Sequence, residues 1–231
     1  MSLVLHLHPL SSYCWKVLIG LYELGAPFEP RMVNLGDADA RAAFAALWPT
    51  GKIPLLEDVA AGRVIPETSI MLEYVDARSA GPAQLLPEAV SARLDARLWD
   101  RLFDNYVMTP MQKIVADRLR PEGAKDPQGV KEARAMLAMA YGMIDARMAG
   151  RDWPAGEAFS LADCAAAPAL FYASIVEPIP AGLPHLPAYF ERLLARPSVA
   201  RAIDEARPWF QYYPYREDMP ARFLEPAEVR A

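Results

Sequence analysis

The sequence predicts an α/β domain followed by an all-helical domain, and three observations carry that prediction. Short apolar runs bounded by turn residues alternate with helical periodicity up to residue 78. A small, turn-rich segment, Ser79-Ala80-Gly81-Pro82-Ala83, then marks a linker. Beyond it strand signals vanish, and apolar residues recur at helical spacing. The expected division is residues 1–78, a linker over 79–87, and a helical domain over 88–231.

Leu3 to Leu7 is an apolar run ended by Pro9 and reads as a strand. Ser11 and Ser12 offer capping hydroxyls to a helix that runs through Cys14-Trp15-Lys16 to Leu24, with Gly25 as its stop. Pro27 to Val33 suits an edge strand, where proline is tolerated. Asp39 to Leu47 reads as a short alanine-rich helix. Leu55-Leu56-Glu57 and Arg63-Val64-Ile65 flank Gly62 as an antiparallel hairpin, and Glu67 to Arg78 closes the unit as a helix. The order β-α-β-α-β-β-α is that of a thioredoxin-like domain. In the second half, Leu94, Leu98, Leu102 and Tyr106 mark a helix from Val90 past Met108. An interruption is expected from Pro121 to Gly129, then a helix from Val130 to Met148. Three more are expected: one opened by Ser160, then Leu186 to Leu194 and Ser198 to Ala206.

Bulk properties narrow the function. Of 231 residues, 53% are hydrophobic and 23% charged, which excludes a disordered chain. The net charge of -5, with no basic run, argues against nucleic-acid binding. No apolar run suggests a membrane span, and the amino end lacks a signal-peptide pattern. Two cysteines are too few for a disulfide framework, so a reduced, cytoplasmic setting is expected. His6, His8 and His185 have no partners at ligand spacing, so no metal is expected.

Three local signals point to chemistry. At Leu10-Ser11-Ser12-Tyr13-Cys14 a strand turns into a helix, whose free N–H groups and partial positive charge stabilise an anion. A hydroxyl there either caps the helix or donates to a thiolate, lowering its pKa by favouring the charged form. Gly51-Lys52-Ile53-Pro54 precedes a strand; a cis bond at Pro54 would leave the Ile53 backbone free to pair with an extended peptide. Pro66-Glu67-Thr68-Ser69 places a carboxylate and hydroxyls at another helix terminus, which suits a ligand with both an amino group and a carboxylate.

Over nearly its whole length the sequence resembles the cytosolic glutathione transferases. Ser11 to Val17 is similar to their serine-type active-site segment, closest to zeta-like and related bacterial classes. Trp48-Pro49-Thr50-Gly51-Lys52-Ile53-Pro54 resembles the family's Asn-Pro-x-Gly-Lys-Val-Pro, with tryptophan for asparagine. Glu67-Thr68 resembles its Glu-Ser pair, and Phe159 to Asp163 its buried capping box. The resemblance implies glutathione as co-substrate, with Ser11 ionising its thiol, Lys52 meeting a carboxylate, Ile53 and Pro54 presenting backbone, and Glu67 and Thr68 holding the γ-glutamyl end. Ser12 competes for the thiol contact, and Tyr13 stays open as a third candidate. It also implies a homodimer acting on a small apolar electrophile in conjugation, isomerisation or detoxification chemistry.

The electrophile is expected against Tyr13 and the helix bearing Trp99, Phe103, Tyr106, Met108 and Met111. Asp100 and Asp104 beside Arg97 and Arg101 read as a solvated or interface face with intrahelical ion pairs. The tail Trp209 to Tyr215, with five aromatics in seven residues, favours packing over roofing the apolar site. Two other functions compete: a non-catalytic ligand-binding protein, and a thiol-disulfide oxidoreductase using Cys14. Cys164 reads as structural.

Overall fold

The computed structural model describes residues 1–225. An α/β domain is formed by β1 (Leu3–Leu7), α1 (Ser12–Glu23), β2 (Phe28–Met32), α2 (Ala38–Leu47), β3 (Leu55–Asp58), β4 (Arg63–Ile65) and α3 (Thr68–Asp76). Its sheet has the order β2-β1-β3-β4. β1 runs parallel to β2, with Leu5 opposite Pro30, and antiparallel to β3, with Leu5 opposite Leu56. This is the thioredoxin-like arrangement that the element order predicts. Pro30 sits on the outer strand, where its missing N–H interrupts no central ladder.

Local chemistry sets the helix ends. Ser11 caps α1 by accepting from the Cys14 N–H at 3.3 Å. Gly25 closes it at φ 59°, with its N–H on Tyr22 O at 3.2 Å and the Ala26 N–H on Leu21 O at 3.0 Å. That left-handed closure is what a glycine beyond a helix end permits.

The helical domain follows as α4 (Val90–Leu102), a π-helical stretch (Phe103–Met108), α5 (Thr109–Arg118), α6 (Pro127–Met148), α7 (Leu161–Val176), α8 (Leu186–Leu194), α9 (Pro197–Ala206) and a short α10 (Ala221–Leu224). α6 starts earlier than its apolar stripe indicates: Pro127 supplies a preset first-turn φ, and Asp126 accepts the Gly129 N–H at 2.9 Å. No helix among the described residues is long and apolar enough to cross a membrane.

α7 is the axis of this half, buried along all but one of its residues. Its alanines let α1, α4 and the π-helical stretch pack closely against it. Ser160 and Asp163 form a capping box at its start, and Tyr189 donates to Asp163 Oδ1 at 2.7 Å. Burial pushes the Asp163 carboxyl up to about 7, against three donors that favour its charged form. Trp15 locks the two halves together. Its Nε1 donates to Pro9 O at 2.6 Å, and its ring meets Phe171 at 4.8 Å and Tyr172 at 5.1 Å.

Candidate functional site

The amino end of α1 forms a wall of two cavities. On one side a polar cleft of about 220 Å³ brings together Tyr13, Lys52, Ile53, Pro54, Glu67 and Thr68. On the other an apolar cavity of about 310 Å³ is walled by Leu10, Ser11 and Ser12 against α5, Tyr172 and Tyr213. Larger grooves, of about 540 Å³ beside β2 and about 620 Å³ near Phe159, include neither Ser11 nor Glu67.

In the polar cleft, Ile53 precedes β3, and the Ile53–Pro54 peptide is cis. Glu67 heads α3 at φ 66°, the one non-glycine residue with positive φ among the described residues. A carboxylate residue has no intrinsic preference for that region, so the fold holds Glu67 there at a cost. The cleft thereby gains both a helix amino terminus and a carboxylate, while Thr68 is buried behind it.

The sequence reading missed the other half of this wall. Arg101, Asp104 and Asn105 reach the cleft where the helix widens into its π-helical stretch. Such widenings add a residue to the turn and re-aim side chains. Asp100 and Asp104 are buried, which corrects the solvated part of their reading, while the expected intrahelical ion pairs are present from Arg101 to both. Their partner is Lys16, fully buried on α1, whose Nζ lies 2.5 Å from Asp100 Oδ1, 2.7 Å from Asp104 Oδ2 and 3.0 Å from Ser69 Oγ. Arg101 pairs with Asp104 from the solvent side, and Asp104 Oδ1 has no hydrogen-bond partner among the described residues. Burial raises the Asp104 carboxyl above its ordinary range, opposed by Lys16. Tyr13 is likewise pushed up to about 12, first by burial and then by Asp104, so it stands as a protonated donor.

Residues 5–83 match the family model for the glutathione S-transferase N-terminal domain, and residues 104–197 that for its C-terminal domain. Glutathione S-transferase 3 of Zea mays is 30% identical over 202 residues, covering 84% of this chain and 90% of its own. The chain belongs to the glutathione S-transferase family. Another relative, FtsZ-localized protein A of Caulobacter vibrioides, is 33% identical over 169 residues, 71% of this chain and 73% of that protein. Among solved structures, a glutathione S-transferase of Methylobacillus flagellatus with GSH bound superposes with a TM-score of 0.79 at 26% identity, covering 87% of this chain and 98% of that one.

Within this glutathione S-transferase fold, the helix expected to hold the electrophile is placed differently from its sequence reading. Trp99 and Phe103 are buried among core aromatics, with Phe103 6.4 Å from Tyr189, and neither borders the two cavities. Tyr106 is exposed and borders neither. Met108 is core, and only Met111 of that set reaches the apolar cavity. The cause is rotational: α7 draws the Trp99–Phe103 face inward, and the π-helical turn then changes which face α5 presents. The aromatic tail divides its roles. Phe210 packs on Trp15 and Phe171, whereas Tyr213 walls the apolar cavity. Cys14 is buried, and burial pushes its thiol up to about 12; Cys164 is raised likewise.

Proposed function

We propose that the chain is a serine-type glutathione transferase that ionises the glutathione thiol at Ser11 and directs it at an apolar electrophile. The observation that supports this best is the shared wall: one helix terminus borders both a zwitterion-sized polar cleft and an apolar cavity. Ser11 Oγ accepts from the Cys14 N–H, which leaves its own hydrogen to donate to a thiolate. The α1 terminus adds its positive end. Ser12 is less suited, since it is buried.

In this reading the γ-glutamyl ammonium lies between Glu67 and the unpartnered oxygen of Asp104. Its carboxylate lies on the α3 terminus with Thr68, Lys52 and Arg101 meet the ligand's anionic ends, and the cysteinyl backbone pairs at Ile53. The glutathione-bound relative supports the same ligand here. A homodimer is proposed through the exposed apolar side chains of Ile70, Leu94 and Leu98 on α3 and α4. The depth and raised pKa of Cys14 favour a packing role over thiol-disulfide exchange.

The test is calorimetric titration of glutathione together with conjugation of 1-chloro-2,4-dinitrobenzene. The transferase reading expects binding and turnover in wild type, and loss of binding by at least about tenfold in Glu67→Ala. Binding without turnover of any electrophile would favour the non-catalytic alternative, which similarity to FtsZ-localized protein A keeps in view.

A further inference from the structure

Four hydrogen bonds pin the turn that carries β1 into α1. Trp15 Nε1 donates to Pro9 O at 2.6 Å, the Tyr172 hydroxyl to Leu10 O at 3.1 Å, and the Ser11 N–H to His8 O at 2.9 Å. The fourth is the Leu10 N–H, which donates to His8 Nδ1 at 3.2 Å. An asparagine closes the same kind of turn by accepting the N–H two residues on. Here an imidazole does so, with Nδ1 two bonds from Cβ, as an asparagine oxygen would be. The first three bonds end on carbonyl oxygens, which keep their lone pairs at any ordinary pH. An imidazole nitrogen accepts only while it is unprotonated.

The same side chain ties this turn to the aromatic segment Arg207–Tyr212. Its half-buried ring meets that of Trp209 edge-on, with centroids 5.0 Å apart. We propose that His8 is a positioning residue for Ser11: its neutral ring sets the turn, and protonation releases it, which makes the site pH-sensitive. The link to catalysis rests on the transferase reading above.

A proton added at Nδ1 sets two donors face to face and leaves the Leu10 N–H without its acceptor. The Ser11 N–H hangs on the His8 carbonyl, so the loosened turn reaches the Ser11 hydroxyl directly. Burial alone lowers the His8 pKa from its ordinary 6.5, which keeps the ring neutral near pH 7. As pH falls below 6.5 toward that lowered value, the ring gains its proton and the fourth bond is lost. The titratable groups on the elements packed against His8 are engaged elsewhere. His6 on β1 pairs with Glu57, Lys16 on α1 with Asp100 and Asp104, and Arg207 with Asp204. Cys14 and Tyr172, both raised by burial, stay protonated, and the Tyr212 ring lies 6.2 Å from that of Trp209.

The experiment pairs His8→Asn, which keeps an acceptor that does not titrate, with His8→Phe, which keeps a ring for Trp209 and loses the acceptor. In the ligand-free protein, nitrogen-15 NMR should show His8 as the Nε2–H tautomer near neutral pH and titrating below 6.5. The Leu10 and Ser11 amide resonances should move with that midpoint in wild type and stay fixed in His8→Asn. With glutathione and 1-chloro-2,4-dinitrobenzene at about pH 7.5, kcat/KM should fall at least about tenfold in His8→Phe and stay within about threefold of wild type in His8→Asn. Between about pH 7.5 and about pH 5, wild type should lose at least about threefold more than His8→Asn, whose remaining decline belongs to the thiol. A wild-type pH profile in His8→Asn, full activity in His8→Phe, or a His8 that titrates above 6.5 would overturn the proposal. A wild type that conjugates nothing would overturn the transferase reading instead. The amide titration then decides the turn, and amides that stay fixed in wild type would overturn the His8 assignment too.

Discussion

At the scale of single residues, the decisive contacts are those that join distant parts of the chain. Ser11, Glu67 and Lys52 were legible because each stands in a short pattern with its own physical rationale: a cap, a helix terminus, a turn before a strand. The burial of Asp100 and Asp104 was missed because neighbouring arginines at helical spacing, which do pair with them, look like a surface. Their real partner, Lys16, is 88 residues away from Asp104 in sequence. Removing that partner alone leaves two carboxylates buried together, so Lys16→Met should lose about 3–5 kcal/mol in urea unfolding. A loss within about 0.5 kcal/mol, typical of an exposed pair, would show the cluster to be solvated. The cysteines make a second prediction. At pH 8 the Cys14 thiol, raised to about 12, and the Cys164 thiol, raised well above its ordinary value by burial, are both protonated, so neither should react with an aromatic disulfide reagent in the native protein. Both should react once denaturant is added; rapid reaction of native Cys14 would revive the oxidoreductase reading.

Whole elements were easier to foresee than the faces they present. The element order of the first domain, the stop at Gly25 and the capping box at Ser160 follow from local rules, and the structure shows each of them. Which side of α4 turns inward does not, because an amphipathic stripe specifies an inward face but not its neighbour. The π-helical stretch then shifts the register again, leaving Trp99 and Phe103 in the core and giving Asp104 and Asn105 to the cleft. The capping box offers a graded test at this scale. Ser160→Ala should cost about 1 kcal/mol in equilibrium unfolding. Asp163→Ala should cost more, since it also strips the buried Tyr189 hydroxyl and the Ser160 N–H of their acceptor. Equal effects of the two variants would mean that the box acts only as a local cap.

For the molecule as a whole, the candidate site exists because two domains meet along α1, and Trp15 and Lys16 fix that junction through two separate sets of contacts. Residues in the first domain supply most of the cleft's lining, and Arg101, Asp104 and Asn105 of the second complete it. The side chains of Ile70 on α3 and of Leu94 and Leu98 on α4 are exposed, at 54%, 59% and 56%, and the Arg97–Glu73 ion pair ties those two helices together. In sedimentation we expect a dimer that the double variant Leu94→Glu, Leu98→Glu converts to monomer; an unchanged mass would place any interface elsewhere. The central claim concerns the thiol. Its most direct measurement is the ultraviolet difference spectrum of bound glutathione against pH, in wild type and in Ser11→Ala. The account predicts a thiolate band that appears well below the pKa of the free thiol and is lost from that range in the variant. A saturated, folded wild type showing no such band, or a band unchanged in Ser11→Ala, would contradict it.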